Sequence, residues 1–169
     1  MVVMSELALY LYREQGISLK DHMLNLYEKY GHFVSKNGYY FMNDQSTVKV
    51  IMERLRSGGT YEALKDMVAP YEIESFRDLG EPGYDSLQAD KRPKLPTSTT
   101  APMMTIRLTN GCIIQLRPSG TEPKFKYYTE MKGQPGVPKE NVEEELTMTV
   151  NTLLDRLLEP VKNGLIRKA

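Results

Sequence analysis

Residues 103–131 read MMTIRLTNGCIIQLRPSGTEPKFKYYTEM and hold the strongest structural signal of the chain. Apolar and polar residues alternate on both sides of Asn110 and Gly111, a pattern that is typical of two antiparallel strands joined by a short turn. A two-residue turn would place apolar Ile114 opposite Arg107. A three-residue loop with Gly111 in the left-handed conformation, a G1 bulge, pairs apolar residues with each other instead. The sequence therefore predicts the pairs Leu108 with Cys112, Ile106 with Ile114, and Met104 with Leu116.

This register divides the side chains of the hairpin between two faces. One face is apolar, and the other carries Ile113, Gln115 and Arg117, so the second strand brings Arg117 to an open surface. Residues 124–131, KFKYYTEM, alternate in the same way and are predicted to form a third strand. The result is a three-stranded meander.

The flanking segments predict helices packed on this sheet. A helix is expected from about residue 45 to 56, a strand from 71 to 76, and a C-terminal helix from Pro138 to Pro160. Residues 79–102 are rich in proline, and so long a loop in a compact domain is usually functional or a tether. The sequence thus predicts an α+β fold with a mainly antiparallel sheet.

The first 31 residues predict two helices. Ser18 and Asp21 have the spacing of a capping box, and Gly31 offers a left-handed end to the second helix. Apolar residues and tyrosines repeat along these helices, and we expect the tyrosines to be core residues. Two short helices alone bury too little surface for stability. Residues 32–44 indicate a strand or hairpin that links this pair to the rest of the chain.

Composition excludes several classes of protein. The 169 residues include 22 basic and 22 acidic ones, so bulk charge indicates no nucleic-acid partner and no membrane partner. Cys112 is the single cysteine, which excludes an internal disulfide and favours a cytoplasmic location. No apolar run reaches the ~18 residues that span a bilayer. The length suits one full core, or one domain and a piece of another.

The stretch RPSGTEPK, residues 117–124, has a composition that core packing does not require. Pro118 and Pro123 lack a backbone N–H group, and the residues between them, Ser119–Glu122, supply four consecutive donors. Gly120 allows these donors to curl around one point, as in an anion-binding nest.

The side chains of the same stretch add to this set of donors. Arg117 can bind two oxygens in a fork, Lys124 brings compact positive charge, and the hydroxyls of Ser119 and Thr121 are further donors. A phosphate dianion matches them. Glu122 would repel a phosphate unless it pairs with a nearby lysine, and we interpret it as an orienting residue.

A structural alternative is a turn closed by the hydroxyls of the SGT triplet, with the charges on either side solvated. Such turns are far commoner than phosphate sites, and the stretch has neither a Walker lysine nor a helix N-terminus behind it. Spacing alone leaves both interpretations open.

At these residues the chain resembles a known family. RPSGTEPKFKYYTE is similar to the phosphate-binding loop and following strand in the C-terminal domain of the α-D-phosphohexomutases, the phosphoglucomutase and phosphomannomutase superfamily. LYEKYG, MMTIRLTNG and the last helix come in the order expected for that family, so the resemblance covers essentially the whole chain. DQSTVK, KLPTS and EPKFKYYTE resemble the eukaryotic phosphopentomutase and phosphoglucomutase-2 branch.

The resemblance implies a four-domain enzyme that interconverts sugar 1-phosphates and 6- or 5-phosphates. A phosphoserine donates to the sugar phosphate and takes back the other phosphate after the bisphosphate reorients. In such an enzyme Mg²⁺ would be the cofactor of the full-length protein, and the sugar bisphosphate would be both intermediate and activator. The C-terminal domain would hold the phosphate that is not reacting. Its contacts in this chain would be Arg117, Ser119, Gly120, Thr121 and Lys124, with Lys126 as a weaker helper.

The resemblance also implies a division of the chain. Residues 1–31 would be the C-terminal helices of a truncated third domain, 32–44 an inter-domain strand or linker, and 45–169 the C-terminal phosphate-binding domain. The family's catalytic serine, magnesium loop and sugar-binding loop have no counterpart here, so we expect no catalytic residue, no metal ligand and no turnover by this chain alone. Its partners would be a phosphosugar substrate and the remaining domains of the same enzyme.

An alternative function is a free-standing module that binds phosphorylated metabolites without catalysis. Single-stranded nucleic-acid binding through basic and tyrosine side chains on the sheet is a weaker possibility, because the net charge is zero. The choice between hexose and pentose phosphates and the oligomeric state remain open.

Overall fold

The computed structural model describes residues 2–167 and shows an α+β fold. Residues 1, 168 and 169, at the outer ends of the predicted segments 1–31 and 45–169, lie outside the described residues. The α-helices are α1 Val2–Tyr10, α2 Leu19–Tyr30, α3 Ser46–Arg56, α4 Ala63–Val68 and α5 Lys139–Leu158. The strands are β1 Phe33–Ser35, β2 Gly38–Phe41, β3 Ile73–Asp78, β4 Tyr84–Asp85, β5 Met104–Leu108, β6 Cys112–Pro118, β7 Lys124–Lys132 and β8 Ile166–Arg167.

The strands of the described chain form a single antiparallel sheet in the order β4-β3-β5-β6-β7-β2-β8, and β1 also pairs with β7. One face of this sheet packs against α3, α4 and α5 to form the hydrophobic core. The opposite face is open and carries polar side chains. Within residues 2–167, no helix combines the length and the apolar character needed to cross a membrane.

The predicted register of the central hairpin is confirmed. Met104 pairs with Leu116 and Ile106 pairs with Ile114, and all four side chains are buried. Gly111 has a φ of 84° and its N–H donates to the Leu108 carbonyl, as the bulged turn requires. Strict alternation along β6 leaves Arg117 exposed on the open face.

The other predicted elements are present with small shifts. The third strand, α3 and α5 begin or end within two residues of their predicted bounds, and the strand predicted at 71–76 lies at 73–78. The sequence pattern misses α4, β4 and β8 because six residues or fewer give no usable periodicity.

The segment before α3 belongs to the main sheet. β1 and β2 do not pair with each other, so the hairpin interpretation is wrong; each pairs with β7. The Asn37 carboxamide oxygen accepts from the Thr129 N–H at 3.0 Å, which directs the connection between the two strands onto β7. A linking role for residues 32–44 between two domains stays a prediction.

The N-terminal helices show the predicted capping box but not the predicted burial. The Ser18 hydroxyl accepts from the Asp21 N–H at 3.1 Å, and the Asp21 carboxylate accepts from the Ser18 N–H at 3.0 Å. Hydrogen bonds from Ser18 lower the pKa of Asp21. The expectation that the tyrosines are core residues is wrong for Tyr10, Tyr12 and Tyr30, which are exposed because these helices pack against little else in residues 2–167.

A buried carboxylate fixes the start of the long loop 79–102. Asp78 accepts from the Arg56 guanidinium at 2.6 Å, from the Tyr61 hydroxyl at 3.0 Å and from the Gly80 N–H at 2.7 Å. Burial, followed by the Asp78 charge, raises the pKa of Tyr61. The Ser98 N–H donates to the Leu79 carbonyl at 2.8 Å, so the end of the loop returns beside its beginning.

Candidate phosphate-binding site

The stretch RPSGTEPK connects β6 to β7 at one end of the sheet. Arg117 lies directly opposite Lys126, and Pro118 lies opposite Phe125. The Arg117 side chain is exposed, whereas Phe125 is fully buried in the core. The sheet therefore holds both ends of the loop in place while its charged side chains stand on the open face.

Hydrogen bonds inside the loop use two of the four predicted backbone donors. The Ser119 N–H donates to the Lys124 carbonyl at 2.9 Å, which closes the turn. The Glu122 N–H donates to the Ser119 hydroxyl at 3.3 Å, and the Lys124 N–H donates to the Glu122 carbonyl at 2.7 Å. The expectation of four free donors is therefore corrected to two, because closing the turn uses the others.

The two remaining donors are the N–H groups of Gly120 and Thr121. Neither makes a hydrogen bond with any other group of residues 2–167, and both residues are exposed. Gly120 does not have a left-handed φ, and a Cβ atom there would meet only the Thr100 carbonyl oxygen at 3.5 Å. The backbone conformation at this position therefore does not require glycine. The lack of a side chain leaves the loop open and lets its peptide units change orientation at little cost.

Glu122 pairs with both lysines that follow it. Its carboxylate lies 2.8 Å from the Lys124 ammonium and 3.5 Å from the Lys126 ammonium. The hydrogen bond from Lys124 lowers the pKa of Glu122, and the same bond raises the pKa of Lys124. The Lys124 ammonium also lies 5.0 Å from the centre of the Tyr39 ring and 5.5 Å from that of Phe41, which favours a fixed position for its charge.

Arg117 differs from these lysines because no carboxylate in the described chain pairs with it. It also faces a like charge, since Lys126 is its cross-strand neighbour. Like charges directly opposite each other on a sheet are destabilising unless an anion compensates them. Arg117, Lys124 and Lys126 carry three positive charges and Glu122 carries one negative charge, which leaves two positive charges to match a phosphate dianion.

Sequence reasoning missed the neighbours that support the loop from outside. The Gln45 side chain donates to the Ser119 carbonyl at 2.8 Å, and the Met42 N–H donates to the Pro123 carbonyl at 2.8 Å. Gln45 immediately precedes α3, so the start of a helix does lie beside the loop, although the element that directly follows the loop in the sequence is strand β7. A groove of about 380 Å³ opens here between α3 and residues 98–102.

Among residues 2–167, no three His, Cys, Asp or Glu side chains come close enough together to hold a metal ion. The side chain of Cys112, the first residue of β6, is fully buried in the hydrophobic core, and burial raises the pKa of its thiol to about 12. The groups that the loop exposes are cations and N–H donors, namely Arg117, Lys124, Lys126 and the N–H groups of Gly120 and Thr121.

The sequence of the chain is similar to those of several longer proteins. The chain is 40% identical over 166 residues to human glucose 1,6-bisphosphate synthase and 36% identical over 169 residues to human phosphopentomutase. It is 29% identical over 152 residues to a probable phosphoribomutase of Schizosaccharomyces pombe. These alignments cover 98%, 99% and 89% of the chain but only 26%, 27% and 25% of the relatives. The chain thus spans about a quarter of the length of these relatives.

The fold has a counterpart among solved structures. The open form of pp63/parafusin, a phosphoglucomutase from Paramecium, matches with a TM-score of 0.55 at 15% identity, over 87% of this chain and 24% of that one. No family model matches the sequence.

Sequence identity with these relatives, together with the shared α+β fold, defines the class of protein. The chain is a relative of the α-D-phosphohexomutases and corresponds to their C-terminal part. Within that superfamily its similarity to phosphopentomutases and glucose 1,6-bisphosphate synthases confirms the eukaryotic branch that the sequence indicates.

Proposed function

We propose that this chain holds the non-reacting phosphate of a phosphosugar in a mutase that interconverts sugar 1-phosphates with 6- or 5-phosphates. The observation that carries the proposal is the segment 117–126, where three cations lie beside two exposed N–H groups that have no partner in residues 2–167. The names of the relatives, phosphopentomutase and glucose 1,6-bisphosphate synthase, support a phosphosugar as the ligand.

Each residue of the loop has a separate part in this proposal. Arg117 binds two phosphate oxygens in a fork, and the N–H groups of Gly120 and Thr121 donate to the others. Lys124 and Lys126 supply the remaining charge. The hydroxyls of Ser119 and Thr121 are additional donors.

Glu122 orients the two lysines in the absence of ligand. It accepts from Lys124 and lies within ion-pair distance of Lys126, so both ammonium groups stay beside the loop. The site thereby keeps two unit charges that a dianion neutralises. Positioning and neutralisation of this kind serve phosphoryl transfer without a proton transfer by the loop.

The parts that perform the transfer are proposed to lie elsewhere in the longer enzyme. The phosphoserine, the sugar-selecting residues and the Mg²⁺ ligands would come from other domains, which we also propose as the partners of this chain. Mg²⁺ there would stabilise the charge of the transferring phosphoryl group. The chain alone is expected to have no mutase activity. A cytoplasmic location agrees with its single, buried cysteine.

Calorimetric titration with inorganic phosphate and glucose 1,6-bisphosphate tests the proposal. Arg117→Ala should weaken binding at least tenfold, because a charge-assisted hydrogen bond contributes about 1.5–3 kcal/mol. Arg107→Ala is the matched control, since Arg107 is exposed on the same open face, one strand away, and has no ion pair in residues 2–167. Equal binding by the wild type and Arg117→Ala would contradict the role of Arg117.

A further inference from the structure

Gln45 is joined to the loop by a hydrogen bond that spans 74 positions of the sequence. Its side-chain N–H donates to the Ser119 carbonyl at 2.8 Å, and Gln45 itself is exposed. The bond is neutral, so its contribution to the free energy of folding is small. The bond nevertheless fixes the direction of the Ser119 carbonyl, which belongs to a peptide unit in the middle of the loop.

The Ser119 carbonyl and the Gly120 N–H belong to the same peptide unit. In a planar trans peptide these two groups point in opposite directions. Because Gln45 holds the carbonyl toward the start of α3, the Gly120 N–H must point away from that helix. This N–H is one of the two loop donors that remain without a partner among residues 2–167.

Without the hydrogen bond from Gln45 this peptide unit could rotate, because its N–H belongs to a glycine. Gly120 has no Cβ atom and accepts backbone conformations that other residues avoid, so rotation of this peptide unit costs little free energy. A rotated unit would direct the Ser119 carbonyl, instead of the Gly120 N–H, toward a bound anion. A carbonyl oxygen repels phosphate, and the rotated loop would therefore lose a donor and gain a repulsive contact.

Gln45 is itself placed firmly at the start of the helix. The Asp44 carboxylate accepts from the Ser46 N–H at 2.8 Å, as in an Asx turn, and the Thr47 N–H donates to the Asp44 carbonyl at 3.2 Å. The Met42 N–H holds the Pro123 carbonyl at the other end of the loop. The connection between β2 and α3 thus contacts the loop at both ends.

We infer that Gln45 is a positioning residue for anion binding: it locks the Ser119–Gly120 peptide unit so that the Gly120 N–H faces the phosphate. This inference rests on the proposed function of the loop. Gln45 does not touch the phosphate and acts only through the peptide unit.

The test compares variants at Gln45 in phosphate binding by the full chain. Gln45→Met keeps the length of the side chain and its neutral charge but removes the donor, and Gln45→Ala removes both donor and bulk. Gln134→Ala is the matched control, because Gln134 is exposed and lies just beyond the far end of β7. Calorimetry gives the affinity for inorganic phosphate, and NMR gives the amide resonance of Gly120 in the free protein.

The inference predicts that Gln45→Met and Gln45→Ala bind phosphate about fivefold more weakly. This is the factor that corresponds to the free energy of one neutral hydrogen bond, which no longer favours the binding-competent orientation. The Gly120 resonance should broaden or double as the peptide unit samples two orientations, a change that a purely structural role would not produce. The midpoint of thermal unfolding should fall by about 2–4 °C at most, the size expected for one neutral hydrogen bond. Wild-type affinity in both variants, with the wild type binding phosphate, would overturn this inference alone. No binding by the wild type would overturn the proposed function and this inference with it.

Discussion

Asp78 and Glu122 each accept hydrogen bonds or ion pairs from neighbouring donors, but the two clusters differ in burial and in how many donors are left unpaired. Asp78 is fully buried, and its carboxylate accepts hydrogen bonds from Arg56, Tyr61 and the Gly80 N–H. Glu122 lies on the surface and pairs with two lysines, beside an arginine without a carboxylate and two N–H groups without an acceptor in residues 2–167. A satisfied buried cluster stabilises the fold, whereas an exposed cluster with surplus donors is suited to a ligand.

The largest expected effect lies at the buried cluster. Asp78→Ala leaves Arg56 and Tyr61 without their shared acceptor inside the protein, which should lower the free energy of unfolding by about 3–5 kcal/mol. Urea denaturation measures the change. Glu122→Ala is the comparison, and we expect no measurable change in its midpoint. Similar losses in both variants would remove the distinction between the two clusters.

The second effect, on the exposed cluster, is a dependence of binding on pH. The second pKa of a phosphate monoester is about 6, so the dianion predominates only above that value. The pKa of Glu122 is lowered by Lys124, so its charge is fully present above its ordinary value of about 4.3 and is lost only at lower pH. Affinity for a sugar phosphate should therefore rise roughly tenfold between pH 5 and pH 7.

We attribute this pH dependence to protonation of the ligand. A control ligand that does not titrate between pH 5 and pH 7 distinguishes it from protonation of the protein. A sulfate ester stays a monoanion throughout, so calorimetry with it should give a flat profile from pH 5 to pH 7. A rise of equal size with the sulfate ester would mean that a group of the protein titrates instead.

The smallest expected effect separates the charge of Glu122 from its orienting role. Glu122→Gln removes the negative charge but keeps an acceptor for Lys124, and we expect phosphate affinity to rise by about threefold at low salt. Glu122→Ala also removes the acceptor, so it should bind more weakly than Glu122→Gln. Equal affinities for the two variants, measured by calorimetry, would show that Glu122 does not orient the lysine.

The sequence predicts the part of the site that depends on strand alternation. The register around Gly111 follows from pairing apolar residues with each other, and it places Arg117 on the open face without any knowledge of tertiary structure. The composition of RPSGTEPK likewise indicates which donors are near one another, because they are neighbours in the chain.

The features that the sequence does not predict depend on contacts between distant segments or on the exact closure of the turn. Ser119 and Glu122 use their N–H groups to close the turn, and no pattern in the loop distinguishes these donors from the free ones. Gln45 reaches Ser119 only because β2 lies beside β7 in the folded sheet. The tyrosines of α1 and α2 have helical spacing, but spacing does not say whether a partner surface is present.

The most direct test of a phosphate site on this loop is an NMR titration of the ¹⁵N-labelled chain with inorganic phosphate. We predict that the amide protons of Gly120 and Thr121 move downfield and saturate together, while those of Ser119 and Glu122, already bonded within the loop, move little. Shifts absent from Gly120 and Thr121, or spread evenly over the basic surface, would contradict a phosphate site built on this loop.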